Sequence, residues 1–430
     1  MRKIINPNLK EIRLSEIVSI DTEFTDLRAY KAKISVISLC NMDCTYLFEV
    51  SKYNRRELTD FLAQLSNCKV VIAHHAKIDQ LMLLSNFGIV LKNWFCTMIA
   101  SQIIDNGRGQ KIADDWYITK TMVGGIFKMK SPHGLISCLK RYLEVDYIDS
   151  DEKKRLQQSF INWTGEDLTQ EQLDYAAGDV QYLYQLYLKQ LDYLNSRELL
   201  QEVNLKFQLI PVLAKSEFKG VLIDKQKHEN NINKWNKKVY ELELKLDTEL
   251  NKLGIVIPIR YSNPDVFSGS LRFTREEVDF FNHGSDKQVL DVFDRLGVPK
   301  PRDAKNETKS GYSVSDDNLK IYKAEHSGGI LANYVEFLFD YKVYRKKVST
   351  YGQKLLDCVD EDGRMRTTYG IAFTDTLRLN SSAILNKKKG HKVDSGINLS
   401  NIPKDNDIRN IFISDINYSF IDCDMSGQEI

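Results

Sequence analysis

Two acidic residues near the end of a β-branched run have the type and spacing of a metal-binding pair. Asp21 and Glu23 stand two residues apart in the segment SIDTEF. Residues two apart on a strand point to the same face, so the two carboxylates project together. With 59 acidic residues among 430, an acid-x-acid pair arises by chance about eight times. The pair alone is therefore more typical of a solvated strand end than of a catalytic site.

Three further residues extend this pattern. Asp79 follows a buried strand in VVIAHHAKIDQLML, where an apolar face would be expected to continue. Tyr175 and Asp179 are four residues apart in the helical segment DYAAGDV, so they lie on one helix face about 6 Å apart. Each also has a structural interpretation: Asp79 is typical of a helix cap, and Tyr175 of a core residue with Asp179 at the surface. The chemistry that such oxygen ligands favour is binding of hard divalent cations.

The elements that would position these residues alternate between strands and helices. Residues 14–50 contain three short β-branched runs separated by polar breaks, which predict strands. Residues 56–67 are predicted to be helical, and KVVIAHH is a buried strand that leads into a helix ending at Gly88. From His133 to about Asn195 the pattern is helical. This alternation predicts an α/β domain.

Beyond this domain the pattern changes. Apolar residues recur at steps of three and four over 228–253 and again from Phe337 to Leu355. Such stripes predict two long amphipathic helices that bury their apolar faces against each other as an antiparallel pair. The polar stretch 255–320 between them predicts loops, and 358–430 is strand-like.

Composition excludes several classes of protein. With 60 basic against 59 acidic residues and a net charge of +1, any binding of nucleic acid must come from local patches. No run of about 18 apolar residues and no signal core is present, which predicts a cytoplasmic protein with no membrane contact. The seven cysteines contain no second pair that would complete a zinc site.

As a set, the three acidic segments resemble those of a known family. SIDTEF, AHHAKID and YAAGD stand in the order and at the separations of the three motifs of DEDDy 3′-to-5′ exonucleases. That family includes ribonuclease D-like enzymes and the proofreading domains of family A DNA polymerases. FCTMIA, HGLISCLKRYLEVD and FINWTGEDLTQEQ are similar to its flanking segments. The resemblance implies an α/β ribonuclease H-like exonuclease domain over residues 1–197.

The resemblance also implies roles for individual residues. Tyr175 would orient the attacking water. His74 and His75 stand where the family has His-Asn. They are expected to face the DNA substrate or to be structural rather than to bind a metal, since the site is rich in oxygen ligands. Two Mg²⁺ or Mn²⁺ ions would be held by four carboxylates, those of Asp21, Glu23, Asp79 and Asp179.

The rest of the chain resembles family A DNA polymerases rather than ribonuclease D-like proteins. LIPVLAKSEFKGVLID and FNHGSDKQVLDVFDRLGVPKP are similar to the family's thumb segments, and GRMRTTY, TDTLRLNSS and GINLSNIP to its palm segments. Leu377 stands where the family has glycine. FIDCDMSGQEI resembles polymerase motif A, with Asp424 as a metal-binding aspartate and Glu429 as the motif's glutamate. The resemblance thus implies a mostly α-helical thumb, 198–357, and a partial α+β palm, 358–430.

Basic and polar residues in these regions are candidates for DNA binding. A charged helix face is equally consistent with simple solvation. If these residues bind DNA, the contacts are expected mainly with phosphates and should be salt-dependent. The candidates are Lys342, Arg345, Lys346 and Lys347 on the second thumb helix, and Arg378, Asn398 and Asn401 in the palm segments.

Three hypotheses for the function stay open. The first is a metal-dependent 3′-to-5′ exonuclease that proofreads for a family A DNA polymerase in DNA replication and binds single-stranded 3′ ends and primer-template duplex. The second is a catalytically silent DNA-binding half of a split polymerase. The third is a ribonuclease D-like RNA-processing enzyme. Nucleotide addition is expected to need a second polypeptide with the remaining palm and fingers. The protein is expected to be of phage type and to act in a bacterial or phage-infected cell.

Overall fold

The computed structural model describes residues 2–41, 44–106, 121–123, 126–128, 133–255, 281–303, 311–374, 376–386, 392–395, 397–421 and 423, with the backbone alone at 121–123, 126–128, 384–386 and 392–395. Contacts divide the chain into two units. Unit 1 comprises Met1–Val221 and Arg364–Asn401, and unit 2 comprises Leu222–Gly363 and Ile402–Ile430. Asp424 and Glu429, singled out from the sequence, lie outside the described residues.

A six-stranded mixed sheet forms the centre of unit 1. Its strands are β1 (Arg2–Ile5), β2 (Ile17–Phe24), β3 (Ile34–Asn41), β4 (Cys44–Glu49), β5 (Val70–Ala73) and β6 (Trp94–Cys96). They lie in the order β1-β4-β3-β2-β5-β6. β2, β3 and β4 are antiparallel neighbours, whereas β5 and β6 extend the sheet in parallel beside β2, and β1 is parallel to β4. The three strands predicted in residues 14–50 are confirmed.

The helices of unit 1 are α1 (Arg55–Ala63), α2 (Ala76–Phe87), α3 (Thr97–Ile104), α4 (Leu135–Leu143), α5 (Ser150–Ile161), α6 (Gln170–Gln181), α7 (Leu183–Ser196) and α8 (Leu200–Lys219). β7 (Thr121–Val123) pairs with β8 (Ile126–Lys128) in antiparallel orientation. α2 ends at Gly88, whose φ of +71° is left-handed, as the sequence predicts. α6 begins at a capping box formed by Thr169 and Gln172.

The two faces of the sheet carry separate apolar clusters. Val18, Ile20 and Ile37 belong to a large core with residues of α2, α7 and α8. Val36 and Leu47 belong to a smaller cluster with residues of α5 and α6. Neighbouring residues of a strand point to opposite faces, so the sheet is covered on both sides. This layering is typical of an α/β domain.

Unit 2 contains the two long helices that the apolar stripes predict. Its elements up to Asp357 are β9 (Val221–Ile223, which begins at the boundary), α9 (Lys225–Lys252), α10 (Asp286–Arg295), α11 (Asp316–Glu325), α12 (Ala332–Tyr351) and α13 (Gln353–Asp357). α9 and α12 pack against each other, with Leu242, Leu246 and Leu338 in one apolar core. The second stripe is interrupted at Gly352, where a Cβ would overlap with the Val348 carbonyl oxygen.

The prediction of loops over 255–320 is wrong for α10 and for the part of α11 that falls within it. Each of these helices begins at a serine, Ser285 or Ser315, whose side chain accepts a hydrogen bond from the backbone N–H three residues later. A serine cap of this kind starts a helix even in a polar stretch, because it pairs an N–H group that the helix leaves open. The signal was present in the segments SDKQ and SDDN.

The last part of the chain contributes short strands. Unit 1 includes β10 (Arg364–Met365), β11 (Thr368–Gly370), β12 (Asn380–Ser382), β13 (Ile384–Asn386) and β14 (Lys392–Ser395), with β11 antiparallel to β12 and β13 antiparallel to β14. Unit 2 includes α14 (Asn406–Arg409) and β15 (Phe412–Ile413), which is antiparallel to β9. Within the described part of the chain, no helix combines the length and apolarity needed to span a membrane.

Leu377 adopts a backbone conformation that favours glycine. Its φ is +55°, and its N–H donates to the Thr374 carbonyl oxygen at 2.8 Å. The left-handed region costs a residue with a side chain on the order of 1 kcal/mol. Leu377 therefore has a backbone geometry that glycine would adopt without this strain.

Candidate functional site

Three carboxylates meet at the end of β2. Carboxylate oxygens of Asp21, Glu23 and Asp179 all lie within 4.8 Å of one another. Glu23 pairs across the sheet with Val36, which belongs to the cluster beneath α5 and α6. Cross-strand partners share a face, so β2 directs Glu23, and with it Asp21, toward the helix that carries Asp179.

Tyr175 and Asp179 lie one turn apart on α6, as the sequence predicts. Both are almost fully buried, at 4% and 5% exposure, so the alternative that Asp179 is a surface residue is wrong. The Tyr175 hydroxyl has no hydrogen-bond partner among the residues that the structure describes. Gly178 lies between them in the sequence, and a Cβ there would overlap with the ring of Tyr147. The glycine therefore allows Tyr147 to pack against α6.

Asp79 lies beside this cluster, in the first turn of α2. Its Oδ1 accepts hydrogen bonds from the Thr22 N–H at 3.0 Å and from the Thr22 hydroxyl at 2.8 Å. Asp79 is therefore not the cap of its own helix but a link between α2 and the strand that carries Asp21. Its participation in metal binding stays a prediction.

Lys153 is a component of the site that sequence reasoning missed. Its Nζ lies 2.8 Å and 2.9 Å from the two carboxylate oxygens of Asp179, and 5.3 Å from the centre of the Tyr175 ring. Lys153 stands in the charged segment DSDEKKRLQQ, which is typical of a solvated helix face. No residue in the adjacent sequence distinguishes Lys153 from Lys154, whose side chain is 74% exposed.

Burial and mutual repulsion strongly raise the pKa values of the acidic residues in this cluster. Burial, reinforced by the Asp179 carboxylate, raises the pKa of Asp21 to about 7, although Lys153 opposes the shift. Burial and the Asp21 carboxylate also raise the pKa values of Glu23 and Asp79 well above their usual range. Asp21 Oδ2 is buried and has no hydrogen-bond partner in the described part of the chain. Such a set fits a divalent cation, which would bind the unpaired oxygen and relieve the repulsion.

Two neutral histidines border α2. The Nδ1 atom of His74 lies 2.8 Å from the Thr97 hydroxyl, while its Nε2 has no partner within the described residues. His75 occupies the N-cap position of α2 with a left-handed φ of +69°. Burial lowers the pKa of each imidazole to about 3, with Lys153 contributing at His74 and Lys77 at His75. Both rings are therefore uncharged at neutral pH.

The basic residues proposed to bind DNA on α12 differ in their surroundings. The four residues are Lys342, Arg345, Lys346 and Lys347. Lys342 forms an ion pair of 3.0 Å with Asp286, and Lys347 forms one of 2.6 Å with Asp405. Arg345 and Lys346 are exposed. The structure thus divides one predicted basic face into two engaged and two exposed residues.

The palm candidates lie in the C-terminal part of unit 1. Arg378 is exposed, and Asn401 ends a short helical turn at 399–401. Asn398 Oδ1 accepts hydrogen bonds from the Ser381 hydroxyl at 2.7 Å and from the Ser400 N–H at 3.0 Å. The Asn398 side chain therefore stabilises a turn.

Comparison with known proteins matches two regions of the chain to two protein families. The sequence model of a family described as "3′-5′ exonuclease" matches residues 6–194, and that of "DNA polymerase family A" matches residues 272–430. The first match contains every residue of the acidic site. The second includes the segments resembling the palm and the thumb-like segment FNHGSDKQVLDVFDRLGVPKP, whereas LIPVLAKSEFKGVLID, residues 209–224, lies between the two matches.

Individual relatives agree with this division. DNA polymerase I of Caldicellulosiruptor bescii is 27% identical over 283 residues, which are 64% of this chain and 27% of that protein. Ribonuclease D of Shewanella sp. strain ANA-3 is 25% identical over 195 residues, 45% of this chain and 42% of that enzyme. The chain thus spans less than half the length of either relative.

A solved structure described as the POL domain of Pol1 from M. smegmatis, in complex with DNA primer-template and dNTP, has a similar fold. The TM-score is 0.61 at 17% identity, over 94% of this chain and 55% of that chain. The ribonuclease D likeness covers less than half of this chain, whereas the polymerase match includes the region beyond residue 272. Residues 6–194 are therefore similar to the 3′-5′ exonuclease family, and residues 272–430 to the DNA polymerase family A.

Proposed function

We propose that unit 1 is a DEDDy exonuclease that removes nucleotides from a single-stranded 3′ end of DNA. The observation that carries the proposal is the cluster of half-buried Asp21 and Glu23 with buried Asp179, and Tyr175 lies one helical turn from Asp179. Two Mg²⁺ or Mn²⁺ ions, held by these acids and Asp79, would neutralise charge on the attacking and leaving oxygens. The exonuclease match at residues 6–194 supports the same reaction class.

Residues of the chain would orient the attacking water and the terminal nucleotide, and burial favours the protonated phenol of Tyr175 and the neutral rings of His74 and His75. Burial, together with the Glu23 and Asp179 carboxylates, raises the pKa of Tyr175, so its phenol stays protonated and can hydrogen-bond the attacking water. Water would attack the terminal phosphorus and break the P–O3′ bond, which releases a nucleoside 5′-monophosphate and leaves a new 3′-hydroxyl. The neutral rings of His74 and His75 would offer hydrogen bonds or stacking surfaces to the terminal nucleotide rather than positive charge.

Replacing Asp179 by alanine tests this proposal. With Mg²⁺ or Mn²⁺, the wild-type protein is expected to shorten 5′-labelled single-stranded DNA from its 3′ end, and Asp179→Ala to lose at least about 10³-fold in rate, because several kcal/mol of charge stabilisation disappear. Asp174→Ala is the matched control, since Asp174 lies on the same helix with its side chain 54% exposed. Equal rates for Asp179→Ala and the wild type would refute the assignment.

We further propose that the polymerase region binds primer-template duplex through exposed basic residues. Arg345 and Lys346 are the exposed pair on α12, so their replacement by alanine is expected to weaken duplex binding and to lower the salt slope by about one per residue. Arg295→Ala is the control, because it removes one charge from unit 2 on a different helix. Titration at several salt concentrations measures the slope, and an unchanged slope would exclude these contacts.

The exonuclease would serve proofreading during DNA replication by a family A polymerase. We propose that a second polypeptide supplies the remaining palm and fingers. Its support is an exposed apolar run after β15, in which Ile416, Tyr418, Phe420 and Ile421 are 88%, 69%, 63% and 87% exposed. Contiguous exposed apolar side chains indicate an interaction surface.

A primer-extension assay tests this division of labour. Residues 1–430 alone are expected to extend no primer, because the second polymerase aspartate and the nucleotide-binding helix that the resemblance implies are not among them. Template-dependent extension by the pure chain would contradict the proposal. Asp424 and Glu429 would then contribute to a polymerase site that the partner completes, and Arg378, Asn398 and Asn401 to the primer-template path.

Two alternative functions would be recognised by different results of these assays. A wild-type protein that binds DNA without hydrolysing it would be the catalytically silent half of a split polymerase. A preference for RNA would favour a ribonuclease D-like enzyme, although the match at residues 272–430 favours DNA. We propose the cytoplasm of a bacterial or phage-infected cell as the location, and 1–197, 198–357 and 358–430 as exonuclease, thumb and partial palm.

A further inference from the structure

Phe373 is an exposed aromatic residue beside the exonuclease site. Its side chain is 52% exposed, and its ring centre lies 6.2 Å from that of His75, with the ring planes at 61°. His75 precedes α2, whose first turn carries Asp79. Phe373 therefore lies beside the N-terminal end of the helix whose first turn carries Asp79, although the exonuclease match ends at residue 194.

The segment that carries Phe373 is fixed to the core of unit 1. The two preceding residues, Ile371 and Ala372, are 2% and 5% exposed and belong to the same apolar cluster as the central sheet. Ala372 has a left-handed φ of +60°, as does Leu377 at +55°. Non-glycine residues keep such conformations only where the surrounding structure enforces them. The exposed ring thus projects from a well-anchored backbone.

A buried ion pair joins this segment to the helix of the exonuclease site. Glu217 on α8 accepts a hydrogen bond from the Tyr369 N–H at 2.6 Å and forms an ion pair with Lys77 on α2. The side chains of Lys77 and Glu217 are only 2% and 3% exposed. Since Lys77 is two residues from His75, these contacts hold β11 against the end of α2 that carries the histidine.

The chemistry of the Phe373 and His75 pair fits a base better than a phosphate. The phenyl ring is uncharged, and burial keeps the imidazole neutral at physiological pH. Flat neutral rings offer stacking surface but no charge to a phosphate. Stacking on aromatic side chains is the usual way in which proteins bind unpaired bases without reading their identity.

We propose that Phe373, supported by the edge of His75, is a stacking platform for the unpaired base next to the terminal nucleotide at the 3′ end of the DNA substrate. The proposal rests on the proposed exonuclease function and adds a substrate-binding residue from the polymerase-matched region. The platform requires an unpaired base, because a base within a duplex has no free face. It would therefore favour frayed 3′ ends over paired ones.

Two substrates separate base stacking from catalysis. The first is the oligonucleotide dT10 with a 5′ fluorophore, and the second is the p-nitrophenyl ester of thymidine 5′-monophosphate, which has no second base. Phe373→Ala is expected to raise the Kd for dT10, measured with Ca²⁺ in place of Mg²⁺, about tenfold. The ratio of kcat/KM for dT10 to that for the ester should fall by a similar factor. Phe373→Tyr, which keeps the ring, should restore both values to within about threefold.

Controls make each outcome decisive. Leu188→Ala removes a side chain of unit 1 that is 46% exposed, and it should leave both measurements unchanged. An unchanged Kd in Phe373→Ala, or equal losses on dT10 and the ester, would overturn the stacking proposal while leaving the exonuclease in place. A wild-type protein that hydrolyses neither substrate would instead overturn the exonuclease function on which the proposal rests.

Discussion

Asp21→Asn is expected to abolish hydrolysis and, at the same time, to stabilise the metal-free protein. Loss of a carboxylate that is proposed to hold the metal should reduce the rate at least about 10³-fold. The stabilisation arises because the folded state raises the pKa of Asp21 from 3.8 to about 7, mainly through burial. Each pKa unit corresponds to roughly 1.4 kcal/mol of penalty for the ionised form. Removing the charge should therefore raise the free energy of unfolding by a few kcal/mol at pH 8.

The pH dependence of this effect has a definite sign. A raised carboxyl pKa means that the folded state binds the proton more tightly than the unfolded state, so stability is fully present below pH 4 and is lost as the pH rises through about 7. The advantage of Asp21→Asn over the wild type should thus be large at pH 8 and much smaller at pH 5. Thermal unfolding in EDTA at the two pH values measures it.

Metal addition provides the complementary control. Mg²⁺ or Mn²⁺ should stabilise the wild type at pH 8, because a cation that binds only the folded state shifts the equilibrium toward it, and should stabilise Asp21→Asn less. Asp174→Asn, on the exposed side of α6, should behave as the wild type in every condition. Equal unfolding temperatures for the wild type and Asp21→Asn in EDTA at pH 8 would show that the penalty from burial of the Asp21 charge and from repulsion by Asp179 is negligible.

Lys77→Met is expected to destabilise unit 1 strongly. Burial lowers the pKa of Lys77 and raises that of Glu217, so each charge depends on the other for compensation. Removing the lysine leaves a buried carboxylate whose hydrogen bond from the Tyr369 N–H remains. Breaking a buried pair in this way costs about 3–5 kcal/mol. Urea-induced unfolding measures the loss.

A double substitution distinguishes lost charge compensation from lost packing. Lys77→Met combined with Glu217→Gln removes both charges and keeps an acceptor for the Tyr369 N–H, so most of the stability should return. Lys154→Met is the exposed counterpart, since its ion pair with Asp151 is solvated and contributes below about 1 kcal/mol. A double variant as unstable as Lys77→Met would attribute the loss to packing of the lysine chain rather than to the stranded charge.

Much of unit 1 could be predicted because its signals are local. The alternation in β2 places Asp21 and Glu23 on one face, and the four-residue step on α6 does the same for Tyr175 and Asp179. In unit 2, the serine caps of α10 and α11 are local signals as well, although the prediction of loops over 255–320, based on polar composition, did not use them. In each case a short segment determines the local element and the face on which its side chains lie, because hydrogen bonds and side-chain directions repeat regularly along a helix or strand.

Sequence alone predicted that Asp21 and Glu23 lie on a strand and Tyr175 and Asp179 on a helix, as the structure has them, and it indicated the two families that match parts of the chain. The tertiary structure decided that Lys153 pairs with Asp179, that Lys342 and Lys347 are engaged while Arg345 and Lys346 are exposed, and that Phe373 lies beside His75. These facts depend on contacts between residues tens to hundreds of positions apart. No local period encodes such a contact, because it exists only once the core has brought the two segments together.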